Sequence, residues 1–513
     1  MQTVSRRDFL KAAGTVVASA AVPHTVANAA GAGTAKPNFI ILVFDTLSAL
    51  HLSLHGYERL TTPNLDAFAA RSTVFHANYS PGNFTTPGTA SMLSGMYPWK
   101  HRAMNPGGLM RQEYVRASPF SQLRSGYRRF GFSQNIWADR LLQQHGVDLD
   151  RHLLPESYSL RRADSGNSIR SLDPVIGSIA VDEFLLPIQG EAPAGSALIA
   201  YLHKTYVLRR TAKANSGRYP KGTPEITNPG FWIPFLNESV FEGVYSELAA
   251  LEREPSPYFA YIHFWSPHSP YRPSAEYRDW FRDTFVPPPK PALHFPAGLS
   301  EDYLLSQRTL YDRQIAQLDE EFGRLVSRLE GLGALERAYV IITSDHGELF
   351  ERGFVGHGFE RLYEAVIRVP LIIHAPGQHR RQDVLEPTSN IDLLPTLLTL
   401  CPRPVPSEIE GRVLPGLGGE GAPDRPIFSM YAATNSAFAP IERTSIAMRK
   451  GAYKLIAYLG FAGLDKVFEL YDLEQDPEEL RDLASSDPVH LAQMRTEFDE
   501  HLNLANRTFA DQQ

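Results

Sequence analysis

Three residues with metal-ligating side chains stand directly after apolar runs. Asp45 follows Asn38-Phe39-Ile40-Ile41-Leu42-Val43-Phe44, and Asp345-His346 follow Tyr339-Val340-Ile341-Ile342-Thr343 through Ser344. Two carboxylates and an imidazole at such positions make a mixed oxygen and nitrogen site for one divalent cation. His268 follows a third run, residues 258–264 (YFAYIHF), after Trp265-Ser266-Pro267. His357 lies between Gly356 and Gly358, a spacing that predicts an exposed, mobile loop. Thr85-Thr86-Pro87 reads as a helix start, and a helix N-terminus favours an alkoxide or an anionic ester. Each of these residues also has a plain reading, as a helix cap or a satisfied core histidine. Asp148 and His152 have ligand spacing only if they share a helix, and His101 reads as structural.

The elements that must position these groups are short, apolar and β-branched. Besides the three runs above, residues 369–374 (VPLIIH) stop at Ala375-Pro376-Gly377. Near-continuous apolar strands separated by helices predict a sheet buried on both faces. Residues 311–332 carry apolar residues at helical spacing with charges between, and predict an amphipathic helix feeding the 339–343 strand. Ionisable residues gather past the strand ends, where open α/β sheets hold their ligands. Residues 135–235 are irregular and read as an insertion or cap; the basic run Arg209-Arg210-Thr211-Ala212-Lys213 within them reads as a solvated face. From about residue 421 short strands precede a charged helix starting near Pro488, which predicts a smaller C-terminal α+β subdomain.

With 513 residues, the chain is long enough for a large α/β domain plus a second unit. A net charge of −7 argues against nucleic acid as the partner, but not against an anionic substrate beside a bound cation. The single cysteine, Cys401, excludes an intramolecular disulfide and a cysteine-built zinc site. Ser5-Arg6-Arg7-Asp8-Phe9-Leu10-Lys11, an apolar stretch over residues 12–22 and Ala27-Asn28-Ala29 form a twin-arginine export pattern with cleavage after Ala29. The stretch is too short to span a bilayer and no later run qualifies. The reading predicts a periplasmic or secreted protein carried by the twin-arginine machinery.

Five blocks, in order from about residue 37 to about 485, resemble the sulfatase family of the alkaline phosphatase superfamily. They are residues 39–47 with His55-Gly56-Tyr57 and 61–66; residues 84–98; Ser344-Asp345-His346-Gly347-Glu348 with 362–370; residues 390–397; and residues 469–477. The resemblance implies a large mixed, mostly parallel sheet sandwiched by helices, with residues 36–420 as the catalytic domain. It implies Asp45, Asp345 and His346 as metal ligands, with Thr46 in the place of a second Asp and so a weakened ligand. Thr85 falls on the nucleophile, which can also bind the metal, His268 on an active-site histidine, and His357 where sulfatases often place a lysine that grips the sulfate. Sulfatases convert Cys or Ser at the Thr85 position to formylglycine. Thr is not a known substrate of that conversion, and Thr89 stands where the signature has Arg, so no formylglycine is expected. Phosphoryl-transferring relatives use Asp-His as ligands and a metal-bound Thr as nucleophile. A metal-bound hydroxyl ionises more easily, and the metal polarises an ester oxygen whose charge His268 and His357 would stabilise or whose leaving group they would protonate. The expected substrate is a phosphate, phosphonate or sulfate ester of a small molecule, glycan or lipid headgroup, and the cation Mn, Zn, Ca or Mg. The alternatives are a phospho-alcohol transferase, whose relatives usually carry membrane helices, and a catalytically lapsed sulfatase-fold binding protein.

Overall fold

The computed structural model describes residues 36–158, 206, 235–292, 294 and 298–510. The strands, in chain order, are β1 (Asn38–Phe44), β2 (Thr73–Phe75), β3 (Asn78–Tyr79), β4 (Arg128–Ser133), β5 (Arg151–Leu153), β6 (Tyr258–Phe264), β7 (Ala338–Thr343), β8 (Leu349–Glu351), β9 (Phe354–Gly356), β10 (Leu371–His374), β11 (Gln382–Val384), β12 (Thr388–Ser389), β13 (Ile427–Tyr431), β14 (Thr444–Lys450), β15 (Tyr453–Leu459) and β16 (Val467–Asp472). Eight of them form the main sheet in the order β11-β2-β10-β7-β1-β6-β4-β5. Its pairs are parallel except that β10 runs antiparallel to both neighbours.

β1 shows why this sheet needs cover on both sides. All seven of its residues are buried. Successive side chains point to opposite faces. Ile40, Leu42 and Phe44 pack in a cluster with Val244 and Leu248 of the helix Asn237–Glu252 and with Ile315 and Phe322 of the helix Glu301–Gly331. Phe39, Ile41 and Val43 pack with Met92 and Leu93 of the helix Thr85–Ser94 and with Leu397 of the helix Leu393–Leu400. The long helix starts earlier than the sequence pattern predicts, because Ser300 caps it by accepting from the Tyr303 N–H and Glu301 and Asp302 complement its first turn.

The insertion expected from residue 135 does not begin there. Residues 136–153 supply the helix Ile136–Gln144 and the edge strand β5, which pairs with β4 in the main sheet. The apolar side of that short helix, Leu141 and Leu142, is buried, a pattern too brief to stand out against the polar residues around it. The basic run at 209–213 lies outside the described residues.

A separate antiparallel sheet, β13-β14-β15-β16, follows, with the helix Pro488–Ala510 against it through Met494 and Phe498. It is joined to the main domain by a buried ion triad: Lys454 Nζ lies 3.1 Å from Glu364 Oε1 and 2.7 Å from Glu479 Oε1. Among the described residues no helix is long and apolar enough to cross a membrane.

Candidate active site

β7, β1 and β6 are neighbours at the sheet centre, so groups at their C-terminal ends converge. Asp45 ends β1, and Asp345 and His346 follow β7. β6 contributes His263, paired in register with Val43 of β1. Sequence reading passed over His263, although an imidazole inside the run YFAYIHF was a visible break in an apolar strand.

These four side chains are fully buried and face one another. His263 Nε2 is 3.6 Å from both Asp45 Oδ2 and Asp345 Oδ2. His346 Nε2 is 3.5 Å from Asp45 Oδ1 and from Asp345 Oδ2. Asp45 Oδ1, Asp345 Oδ2, His263 Nε2 and His346 Nε2 have no hydrogen-bond partner among the described residues. Four buried polar atoms left so would each cost about 1–3 kcal/mol. One cation bound by Asp45, His263 and Asp345, whose ligand atoms lie within 4.8 Å of one another, would satisfy these three side chains, and His346 Nε2 stands 3.5 Å from both carboxylates as a fourth donor beside them. The donor set therefore fits a divalent metal.

The electrostatics agree with that fit. Burial, and then the neighbouring Asp45, push the Asp345 carboxyl up to about 7. Burial also raises Asp45, against the opposing effects of His268 and of the hydrogen bond from Asn135. Burial holds His346 well below its ordinary value and lowers His263. Both rings are thus neutral near pH 7. His346 Nδ1 contacts Gly347 O at 3.0 Å and His263 Nδ1 contacts the Tyr261 hydroxyl at 3.2 Å, which leaves each Nε2 lone pair facing the centre.

Thr46 is held beside this group by its backbone. It takes a positive φ of 65°, unusual for a β-branched residue. Its N–H donates to Asp345 Oδ1 at 3.4 Å, and its carbonyl accepts from the Tyr311 hydroxyl at 2.6 Å. The same hydroxyl accepts from the Ser48 N–H at 3.1 Å. Thr46 Oγ1 is buried without a hydrogen-bond partner among the described residues.

Thr85 is the first residue of its helix and is 1% exposed. Its Oγ1 accepts from Asn135 Nδ2 at 2.9 Å, and the same nitrogen donates to Asp45 Oδ2 at 2.6 Å. Gly88, one turn on, is required by close approach: a Cβ there would sit 2.2 Å from the Asp345 carbonyl oxygen. Thr86 has a structural task, since its Oγ1 accepts from the Gly107 N–H at 3.0 Å.

His357 is not exposed as its flanking glycines predict. Its side chain is 16% exposed, because Glu348, fully buried, holds Nδ1 at 2.9 Å. Its ring lies 4.3 Å from His346 and 4.9 Å from His268. Burial opposes the charged ring, but Glu348, then Asp45 and Asp345, outweigh it and raise the His357 pKa. His268 is opposite in sense: burial, against Asp45, pushes it down to about 4. Its Nδ1 is 2.7 Å from Ser269 O, and its ring packs 4.3 Å from Trp265. Asn83, two residues before Thr85, ties that turn to the segment after His357, with Nδ2 donating to Phe359 O at 2.7 Å and to Arg361 O at 3.0 Å.

The remaining candidates fall elsewhere. Asp148 sits in a short 3-10 turn and His152 in β5, where Nε2 meets Asp139 Oδ1 at 2.7 Å, so the two share no helix. His101 is buried and bonded to Ser91 Oγ at 2.9 Å and to the Ala103 N–H at 3.1 Å, a structural histidine.

A mixed, helix-sandwiched sheet with this constellation at its strand ends defines an ester hydrolase of the alkaline phosphatase superfamily. Within that class the chain belongs to the sulfatase family: the Sulfatase family model matches residues 37–134 and 214–402, and the model for the C-terminal part of N-sulphoglucosamine sulphohydrolase matches residues 351–507. A choline-sulfatase from Rhizobium meliloti is 27% identical over 479 residues, covering 88% of this chain and 83% of that protein. Human arylsulfatase A is 26% identical, covering 88% and 85%. The phosphonate monoester hydrolase of Agrobacterium radiobacter shares the fold with a TM-score of 0.64 at 18% identity, covering 92% of this chain and 96% of that one.

Proposed function

We propose that the chain is an exported, divalent-cation-dependent hydrolase of phosphate or phosphonate esters, with Thr85 as nucleophile and sulfate esters as the competing substrates. One observation carries this reading: the Thr85 hydroxyl, buried at a helix N-terminus, shares a hydrogen-bond donor with Asp45 of the four-residue cation site. The matching family members include sulfatases and the fold is shared with a phosphonate monoester hydrolase, so both ester classes are within reach of this architecture. A threonine hydroxyl, which is not an aldehyde hydrate, favours the phosphoryl class.

Asp45, His263, Asp345 and His346 would hold the cation, with Thr46 and Thr85 adjoining them. When bound, it supplies Lewis-acid stabilisation of negative charge on nearby oxygens. Thr85 Oγ1 attacks the phosphorus as its proton passes to solvent, and the bond from phosphorus to the leaving oxygen breaks; in a second step water attacks the phosphorus, the bond from phosphorus to Oγ1 breaks, and a proton of that water returns to Oγ1. His357, oriented by Glu348, whose carboxylate favours the charged ring, donates to the leaving oxygen. His268, fixed through Ser269 O, faces the anionic ester as a neutral ring. The substrate is a small-molecule, glycan or lipid-headgroup ester, and residues 1–29 are a twin-arginine signal.

Thr85→Ala should lower kcat on an aryl phosphonate monoester and an aryl phosphodiester roughly a thousand-fold or more, with metal content unchanged. Full turnover by that variant would refute the nucleophile assignment. Wild-type protein that binds metal yet turns over no sulfate, phosphate or phosphonate ester would favour the lapsed, binding-only reading.

A further inference from the structure

We infer that Asn135 is a catalytic residue: its side-chain amide stabilises the charge that develops on Thr85 Oγ1 while it pins one oxygen of Asp45. The inference rests on Thr85 being the nucleophile.

Asn135 ends the turn after β4 and caps the helix Ile136–Gln144. It is 3% exposed. Oδ1 accepts from the Trp137 N–H at 2.9 Å, which fixes the amide orientation. Its backbone is locked as well: its N–H donates to Ser133 Oγ at 3.0 Å, and that hydroxyl donates to the Asn135 carbonyl at 3.0 Å. Nδ2 then has two hydrogens to give. One goes to Asp45 Oδ2 at 2.6 Å and the other to Thr85 Oγ1 at 2.9 Å. A flipped amide would lose the contacts to Asp45 and to the Trp137 N–H, because an amide oxygen cannot donate to a carboxylate and an amide nitrogen cannot accept from an N–H.

The cap requires only Oδ1. The two contacts of Nδ2 serve no cap, and both go to proposed reacting machinery. The amide occupies a lone pair of Thr85 Oγ1, so the hydroxyl proton points away from Asn135. Once that proton leaves, the oxygen's charge meets an N–H already in place, on residues that are 1% and 3% exposed. A preorganised donor of this kind is worth on the order of 100-fold in kcat. The bond to Asp45 Oδ2 also divides the carboxylate, leaving Oδ1, which has no hydrogen-bond partner among the described residues, facing His346 Nε2 at 3.5 Å.

Asn135→Ser keeps a capping oxygen and removes the amide; Asn135→Asp keeps the shape and the cap and removes both N–H groups. Turnover of an aryl phosphonate monoester, thermal melting and metal content by mass spectrometry are measured on both, and on Thr85→Ala with and without Asn135→Ser. The expected result is a folded Asn135→Ser protein with metal at wild-type level and kcat about 100-fold lower. Its single-turnover formation of the Thr85 adduct should slow by the same factor, and the double variant should be no slower than Thr85→Ala alone. Asn135→Asp should be at least as slow as Asn135→Ser. Wild-type kcat in Asn135→Ser, or effects of the two substitutions that multiply, overturns the inference while leaving Thr85 as nucleophile. Full activity of Thr85→Ala overturns both.

Discussion

Tyr311→Phe tests how the fold supports the site. Tyr311 lies on the helix Glu301–Gly331 with no exposed surface, its ring packed 4.9 Å from Phe350 and 5.5 Å from Tyr271. Phenylalanine keeps that packing and removes one oxygen. That oxygen donates to Thr46 O and accepts from Ser48 N, and both residues are fully buried. Two backbone groups then lose their partner, at about 2–6 kcal/mol together. With roughly 2.1 cal/mol/K per residue over 513 residues, the unfolding entropy is about 1.1 kcal/mol/K and the midpoint should fall by about 2–6 °C. The functional effect is larger. Thr46 is held at a φ of 65°, a conformation costing about 1–2 kcal/mol, and without its hydroxyl clamp the turn relaxes and carries Asp45 with it. Displacement of a reacting constellation by about 1 Å costs on the order of 100-fold in rate. Differential scanning fluorimetry, metal content and kcat on an aryl phosphonate monoester measure these effects. An unshifted midpoint with unchanged kcat would refute the reasoning. A lowered midpoint with wild-type kcat and metal content would refute the part that makes Tyr311 a support of the metal site.

Two further outcomes follow from the sequence and structure. His145 is fully buried against Phe120, and neither ring nitrogen has a hydrogen-bond partner among the described residues. Burial lowers its pKa from 6.5 to about 4. The folded state thus holds the neutral ring: its contribution is intact above pH 6.5 and declines as pH falls toward 4, by about 3 kcal/mol in all. His145→Leu should lose close to one proton's worth of the pH dependence of denaturant midpoints in that window, and an unchanged slope would count against the buried neutral ring. For export, replacing both Arg6 and Arg7 by Lys should leave the precursor in the cytoplasm on fractionation, and unchanged export would sink the twin-arginine reading.

Much of the site was legible before the structure, because apolar runs ending on Asp45 and on Asp345-His346 mark strand ends, and ordered family blocks place Thr85, His268 and His357 near them. The strands came out as read, since period-2 burial on both faces leaves few other ways to hide residues 38–44 and 258–264. What was missed shares one cause. His263 reads as a polar interruption in a strand, and Asn135 as a helix cap at the edge of an irregular stretch. Glu348 reads as one residue of a family block, and Tyr311 as one more aromatic on an amphipathic helix.

By itself the sequence determined the ionisable groups at the strand ends, the two-faced sheet and the hydroxyl at position 85. Only the tertiary structure decided which other groups join them. The order β7-β1-β6-β4 sets side by side strands that are far apart along the chain. Register then brings His263 level with Val43 on one side and Ser133 on the other. Local patterning records whether a residue is buried, not which distant strand lies beside it. The cluster of Asp45, His263, Asp345 and His346, the amide shared by Asp45 and Thr85, and the carboxylate that buries His357 all depend on that pairing.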